Sequence, residues 1–262
     1  MNRDNMIDDE KREITAAGKK IEIFGGMQSD RKIELPLVIY HAVHGEGSRV
    51  WEECRNIKCP PFLFAVINDV NWNKEMSPWE IPPIFSNDEA CSGGADAYLT
   101  KLTDEIMPAV YGAASIAGAA GGTTLAGDWV SCSASSDGIK TPGRVFLAGY
   151  SLAGLFAVYA AYRTDLFSGI ISASGSLWYP DIMEFIKSHQ ISHNINSVYL
   201  SLGDKERRTR NPLLAQVEDN TIEIERYLCA QGINTIYESN PGNHYRDAEL
   251  RVARGIRWTL II

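Results

Sequence analysis

The stretch Arg144-Val-Phe-Leu-Ala-Gly149-Tyr150-Ser151-Leu152-Ala153-Gly154, continued by the apolar segment Leu155 to Tyr162, decides the reading of this chain. An apolar run of strand character ends at small residues, a serine follows, and an apolar segment of helical length begins. A serine between small residues at the crest of a strand-to-helix turn is held exposed, because bulk at either flank would clash inside the tight elbow. Ser151 is therefore the candidate nucleophile. The usual pattern is Gly-x-Ser-x-Gly, and here its last position is Ala153, one methyl group larger.

Outward from this elbow, short β-branched or apolar runs recur with helical stretches between them. They lie at Lys20 to Phe24, Leu35 to Tyr40, Phe62 to Ile67, Arg144 to Ala148, Gly169 to Ala173, Ser197 to Leu202 and Thr235 to Glu238. Fully apolar strands alternating with helices predict an α/β chain with a mostly parallel central sheet covered by helices on both faces. Helices are signalled at Ala95 to Tyr111, Leu152 to Tyr162, Pro212 to Gln231 and Arg246 to Leu260. Two stretches break the rhythm. Residues 68–94 carry Trp72, Trp79, Phe85 and three prolines without a helix or strand period, which predicts an ordered loop of the kind that covers a pocket. Residues 112–140 are rich in Gly, Ala and Ser and read as a low-complexity insertion. At 262 residues one large core suffices, so the whole chain, 1–262, is expected to be a single domain.

A serine hydroxyl needs a general base, commonly a histidine oriented by a carboxylate. His244, in Asn240-Pro-Gly-Asn-His244, follows the last strand in a turn that could lean over the strand ends towards Ser151. The order Ser, acid, His puts the carboxylate after the strand Ser197 to Leu202, in Gly203-Asp204-Lys205-Glu206. Glu206 is the first choice there and Asp204 the fallback. One oxyanion donor is expected from the N–H of Leu152. A second is expected from the loop His41-Ala-Val-His44-Gly45-Glu46-Gly47, around His44 and Gly45. His41 and His44 read equally well as plain loop residues.

The net charge of −8 leaves no overall basic surface for a phosphate backbone, which argues against a nucleic-acid partner. Lys205, Arg207, Arg208 and Arg210 nevertheless form a local basic cluster beside the candidate acid. Arg207 and Arg208 are thus candidates to hold a negatively charged substrate. The first residues lack an apolar signal region and no segment approaches the roughly 18 apolar residues of a membrane span, so a cytoplasmic protein with no membrane partner is predicted. Five cysteines at irregular spacings suit reduced thiols. His189 and His193 stand four apart without a His-Glu-x-x-His arrangement, so no metal is assigned. No Gly-rich phosphate cradle is present, and no cofactor is expected.

Four blocks together resemble a known group: Ser92-Gly-Gly-Ala-Asp-Ala-Tyr-Leu99 with Glu105-Ile-Met-Pro108, Gly149 to Ala157, Ser172-Ala-Ser-Gly-Ser-Leu-Trp-Tyr179, and Pro241-Gly-Asn-His-Tyr245. They are similar to the esterase branch of the α/β-hydrolases that includes the ferric enterobactin and salmochelin esterases. The resemblance implies an α/β-hydrolase fold and hydrolysis of a small-molecule carboxylic ester, siderophore-like and anionic in those relatives, through an acyl-enzyme. Ser151 and His244 match the catalytic positions, and Trp178 is a substrate-binding candidate. An acyltransferase on the same scaffold and an inactive binding module are the alternatives. The chain departs from the group at Ala153, at Gly175 and in the insertion.

Overall fold

A computed structural model describes residues 11–25, 35–43, 45–84, 89–116 and 143–262. Eight strands form one sheet in the order β1-β2-β4-β3-β7-β8-β9-β10. They are β1 Lys11–Ala16, β2 Lys19–Phe24, β3 Leu37–His41, β4 Leu63–Ile67, β7 Val145–Tyr150, β8 Gly169–Ala173, β9 Ser197–Gly203 and β10 Asn234–Asn240. The pairs from β4 to β10 are parallel, whereas β1–β2 and β2–β4 are antiparallel. All seven strands expected from the sequence are present. β1 is an addition: along Lys11-Arg-Glu-Ile-Thr-Ala16 exposed residues alternate with less exposed ones, so it pairs at the sheet edge although its composition reads as a charged terminus.

Successive strand residues point to opposite faces and feed two cores. Leu37, Ile39, Ala65, Leu147, Ile170 and Val198 belong to one apolar cluster, and Val38, Tyr40, Phe64, Phe146, Ile171 and Tyr199 to the other. Helices α1 Gly47–Asn56 and α8 Ala248–Ile261 cover the second face. The first is covered by α3 Ala95–Lys101, α4 Met107–Ile116, α5 Leu152–Ala160 and α7 Val217–Ala230, with α6 Ile182–Ser188 packed on α7. The helix expected at Ala95 to Tyr111 is interrupted by a π-helical turn at Leu102–Ile106, just ahead of Pro108, which has no N–H for the helical ladder.

The stretch 68–94 is more structured than a loop. It holds the short helix α2 Trp72–Glu75 and a two-stranded antiparallel sheet of β5 Glu80–Ile81 and β6 Cys91–Ser92; Phe85 lies outside the described residues. Of the 112–140 insertion, residues 112–116 complete α4 and the rest lies outside the described residues. Among the described residues no helix is long and apolar enough to cross a membrane.

On the α1 and α8 face, Trp51 packs with its ring centroid 5.3 Å from Phe62, 5.7 Å from Phe24 and 6.2 Å from Phe64. Deleting a buried Trp side chain costs about 3–5 kcal/mol, so Trp51→Ala is expected to lower the melting temperature by on the order of 10 °C. Calorimetry checks this; an unchanged melting temperature would deny that this aromatic cluster carries the second face.

Candidate active site

The parallel strands β7, β8 and β9 end together, and each delivers one part of the site. At the end of β7, Ser151 adopts φ 57 and ψ −123, a conformation that L-residues rarely hold and that marks the elbow as strained. Its backbone is held on both sides: Ser151 N–H donates to Ala173 O at 3.2 Å, and Ser176 N–H donates to Ser151 O at 3.0 Å. Two glycines let the turn close. A Cβ on Gly149 would stand 2.1 Å from Ala153 O, and one on Gly154 would stand 2.9 Å from Gly175 Cα. The close approach between α5 and the loop after β8 therefore falls at Gly154. Ala153, fully buried, is accommodated one position before it.

The turn after β10 carries His244 back over the strand ends. Its Nε2 lies 3.1 Å from Ser151 Oγ, and its Nδ1 lies 2.8 Å from Glu206 Oε2. The ring sits between Tyr150 and Tyr245, each with its centroid 5.2 Å away. The turn is pinned by Asp204, whose Oδ1 accepts from Gly242 N–H at 2.8 Å, while Lys205 N–H donates to Gly242 O at 3.0 Å. Of the two carboxylates in that loop, Glu206 meets the imidazole, and the fallback Asp204 holds the backbone of the histidine turn instead.

Glu206 is sunk to 6% side-chain exposure. Its Oε1 accepts from Gly203 N–H at 2.6 Å, Ser174 Oγ at 2.8 Å and Arg251 Nη1 at 3.1 Å. Burial alone would raise this carboxyl. The hydrogen bonds from His244, Gly203 and Ser174 outweigh it and hold the group below the ordinary carboxylate range. Arg251, at 1% exposure, also donates to Ser174 Oγ at 2.7 Å and through Nη2 to Asn243 O at 2.9 Å. One guanidinium thus fixes the acid, its hydrogen-bonding serine and the residue before the histidine. Neither Ser174 nor Arg251 stood out in the sequence. The signal for Arg251 was its place on the buried stripe of α8 with Gly255 and Thr259, where Arg254 and Arg257 are not buried.

Leu152 opens α5, where the first N–H groups have no intrahelical acceptor, so its amide is free to face the cavity. Of the second pair of oxyanion candidates, Gly45 is exposed and outside the cavity wall, and His44 lies outside the described residues. His41 is not a loop residue. It ends β3, is fully buried between Tyr98 and Phe156, and its ring is pushed down to about 3 by burial, with a further push from Lys19.

A cavity of about 490 Å³ opens beside Ser151. Trp178 lies in its wall, as do Trp72, Ile84, Cys91, Leu214 and Tyr245. The 68–94 stretch thus forms one side of this cavity. The basic cluster does not face it. Arg207 is turned to the first turn of α7, with Nη1 3.1 Å from Glu218 and 3.5 Å from Asp219, and Arg208 is exposed and not among the wall residues. Adjacency to Glu206 in the chain is lost within one turn of backbone. His189 stacks on Phe185 at 4.3 Å, and His193 faces Asp165.

The sheet and the serine elbow define the α/β-hydrolase fold. No family model matches the chain. A protein of Bacillus subtilis (strain 168), the uncharacterized protein YbbA, is 22% identical over 176 residues, which is 67% of this chain and 62% of that one. The match therefore spans less than two thirds of that relative's length. Solved structures sharing the fold include an IroE-like serine hydrolase from Shewanella oneidensis, 14% identical with TM-score 0.69 over 96% of this chain and 80% of that one. The siderophore hydrolase EstA from Aspergillus nidulans is 17% identical, with TM-score 0.67 over 96% and 94% of the two chains. The enterobactin esterase FES from Shigella flexneri is 16% identical, with TM-score 0.64 over 98% and 60%. These are structures of the same branch that the four sequence blocks resemble.

Because the Glu206 carboxyl is held below its ordinary value of 4.5, its contribution to stability is complete above that pH and is lost as pH falls through the lowered value. Glu206→Gln also leaves Arg251 buried without its counter-charge, a loss of about 3–5 kcal/mol. Urea unfolding from pH 7 to pH 3 should show a wild-type advantage that is constant above about pH 5 and shrinks below pH 4.5. An advantage independent of pH would contradict an ionised Glu206.

Proposed function

We propose that this chain is a serine esterase that cleaves a small-molecule carboxylic ester through an acyl-enzyme. The observation that carries the reading is the line of contacts Glu206 to His244 to Ser151, at 2.8 and 3.1 Å. Glu206, kept ionised, accepts Nδ1–H and so leaves the lone pair of Nε2 facing the hydroxyl. As Ser151 Oγ attacks the ester carbonyl, His244 takes its proton. The tetrahedral oxyanion forms against the Leu152 N–H, and the pairing of β3 with β7 brings the loop after β3, where the second donor is sought, to the same end of the sheet. His244 then returns the proton to the leaving alcohol. Water repeats the sequence on the acyl-enzyme and restores the serine. No cofactor is needed for these steps.

Two further points support the reading. The elbow is strained at the residue whose hydroxyl meets Nε2 of the imidazole, as a preorganised nucleophile requires. The names carried by the solved structures that share the fold, serine hydrolase, siderophore hydrolase and enterobactin esterase, all denote hydrolases.

A fluorophosphonate probe should label wild type at Ser151, as read by peptide mass, and should fail on Ser151→Ala. Hydrolysis of a 4-nitrophenyl ester should fall by about 10³-fold or more in Ser151→Ala and His244→Ala, with folding retained by circular dichroism. An unlabelled wild type without ester hydrolysis would overturn the reading in favour of a binding module.

A further inference from the structure

The cavity beside Ser151 is a built site. Its two principal walls are clipped to one another: Trp79 Nε1–H donates to Pro180 O at 3.0 Å, and Tyr179 O–H donates to Trp79 O at 2.6 Å. The loop after β8 is also tied to α7, where Asn220 Nδ2 donates to Leu177 O at 2.8 Å. The shape of the cavity is thereby set before a ligand arrives, so the chemistry of its walls is the chemistry that a ligand meets.

Aromatic and aliphatic side chains make up about half of those walls, the hydroxyls of Ser176 and Thr209 and the amide of Asn73 are among the polar rest, and the carboxylates make the wall's charge negative. Trp72 stands in the wall from the 72–91 stretch and Trp178 in the wall from the loop after β8, with Ile84, Leu214 and Val217 among the other apolar residues. The charged residues of the wall are Glu89 and Glu206. Glu206 is occupied by His244, Ser174 and Arg251, which leaves the exposed Glu89 carboxylate as the charge that an entering group meets. Among the described residues no lysine or arginine lines the cavity. Arg207 is spent on Glu218 and Asp219, and Arg251 is sealed behind Glu206.

An anion placed here would meet hydroxyls and an amide but no lysine or arginine among the described wall residues, and would approach the Glu89 carboxylate, in a chain of net charge −8. An uncharged ring would lose little water and would meet the aromatic side chains of Trp72 and Trp178. The volume of about 490 Å³ holds a ring-sized group. Resting on the esterase reading above, we infer that this site takes an ester whose seated group is an uncharged aromatic one, and that it discriminates against anionic esters. The basic cluster at 205–210 plays no part in substrate choice.

The test compares two isosteric substrates with one leaving group, the 4-nitrophenyl esters of 4-carbamoylbenzoic acid and of its monoanionic 4-carboxy counterpart. Each kcat/KM is divided by the ester's own hydroxide-catalysed rate to remove intrinsic reactivity. The neutral ester should be preferred by about tenfold or more, a factor of ten corresponding to about 1.4 kcal/mol. Glu89→Lys should narrow that ratio, and Arg207→Ala with Arg208→Ala should leave it unchanged. Equal or faster turnover of the anionic ester would overturn the inference. So would loss of the preference in the double arginine variant. Protection of Ser151 from the fluorophosphonate by 4-carbamoylphenylboronic acid, against its 4-carboxy analogue, reads the same preference without turnover. Failure of the esterase reading is separate: there, Ser151 does not react with the probe at all.

Discussion

A carboxylate sunk to 6% exposure keeps its charge only if the protein replaces the water that it has lost, and the arrangement around Glu206 is that replacement. Its donors come from four places: Gly203 at the end of β9, Ser174 just after β8, His244 in the turn after β10, and Arg251 within α8. The same arginine reaches Asn243 O, so the turn that carries the imidazole is fixed by the group that keeps the acid ionised. Three of these donors share Oε1 and His244 meets Oε2, so losing any one of them strips part of the stabilisation from the buried carboxylate. For that reason the strand ends and α8 act as one unit, although the residues involved span 77 positions between Ser174 and Arg251.

The elbow is the counterweight to this order. Ser151 at φ 57 is held in a conformation costing on the order of 1–3 kcal/mol, and it stays there because its amide and carbonyl are bonded to Ala173 and Ser176 and because α5 is buried along its length. Gly149 and Gly154 supply the space that the backbone needs. Ser174, next to this contact, is itself at positive φ, 46°, so two neighbouring strand ends carry strain at the residues whose hydroxyls face the site. The strain is localised at the strand ends, and the central strands that support it are buried on both faces.

Much of this was legible in the sequence because strands buried on both sides, β3, β4, β7, β8 and β9, leave continuous apolar runs, and β2 and the half-exposed edge strand β10 still showed short β-branched ones. The elbow was legible because its small residues answer a steric demand. What failed to show has physical reasons. β1 pairs at an edge and keeps its charged residues, so it reads as a tail. α1 buries only Gly47, Val50, Trp51 and Cys54 among several charged residues, too narrow a stripe to register. The choice between Asp204 and Glu206 depends on a turn that sends side chains two positions apart to different partners, one to Gly242 N–H and one to the imidazole. Arg207 illustrates the same limit. Its neighbours in the chain suggested a role at the cavity, but its neighbours in space are the acids at the start of α7.

The reacting groups and the walls obey different constraints. Ser151, His244 and Glu206 sit where β7, β10 and β9 end, and their separations follow from sheet geometry and the buried carboxylate. The walls come from segments between the sheet's main strands and helices, residues 72–84 and 89–91, the loop after β8 and residues 209–217, with the first two joined through Trp79 and Tyr179 and the loop after β8 tied to α7 through Asn220. Changes of side chain in those segments alter what the cavity welcomes without touching the hydrogen-bonded line that would carry the chemistry. The side chains that face the cavity are therefore the ones a ligand meets first, whereas Arg207, next to Glu206 in the sequence, is turned to the acids at the start of α7.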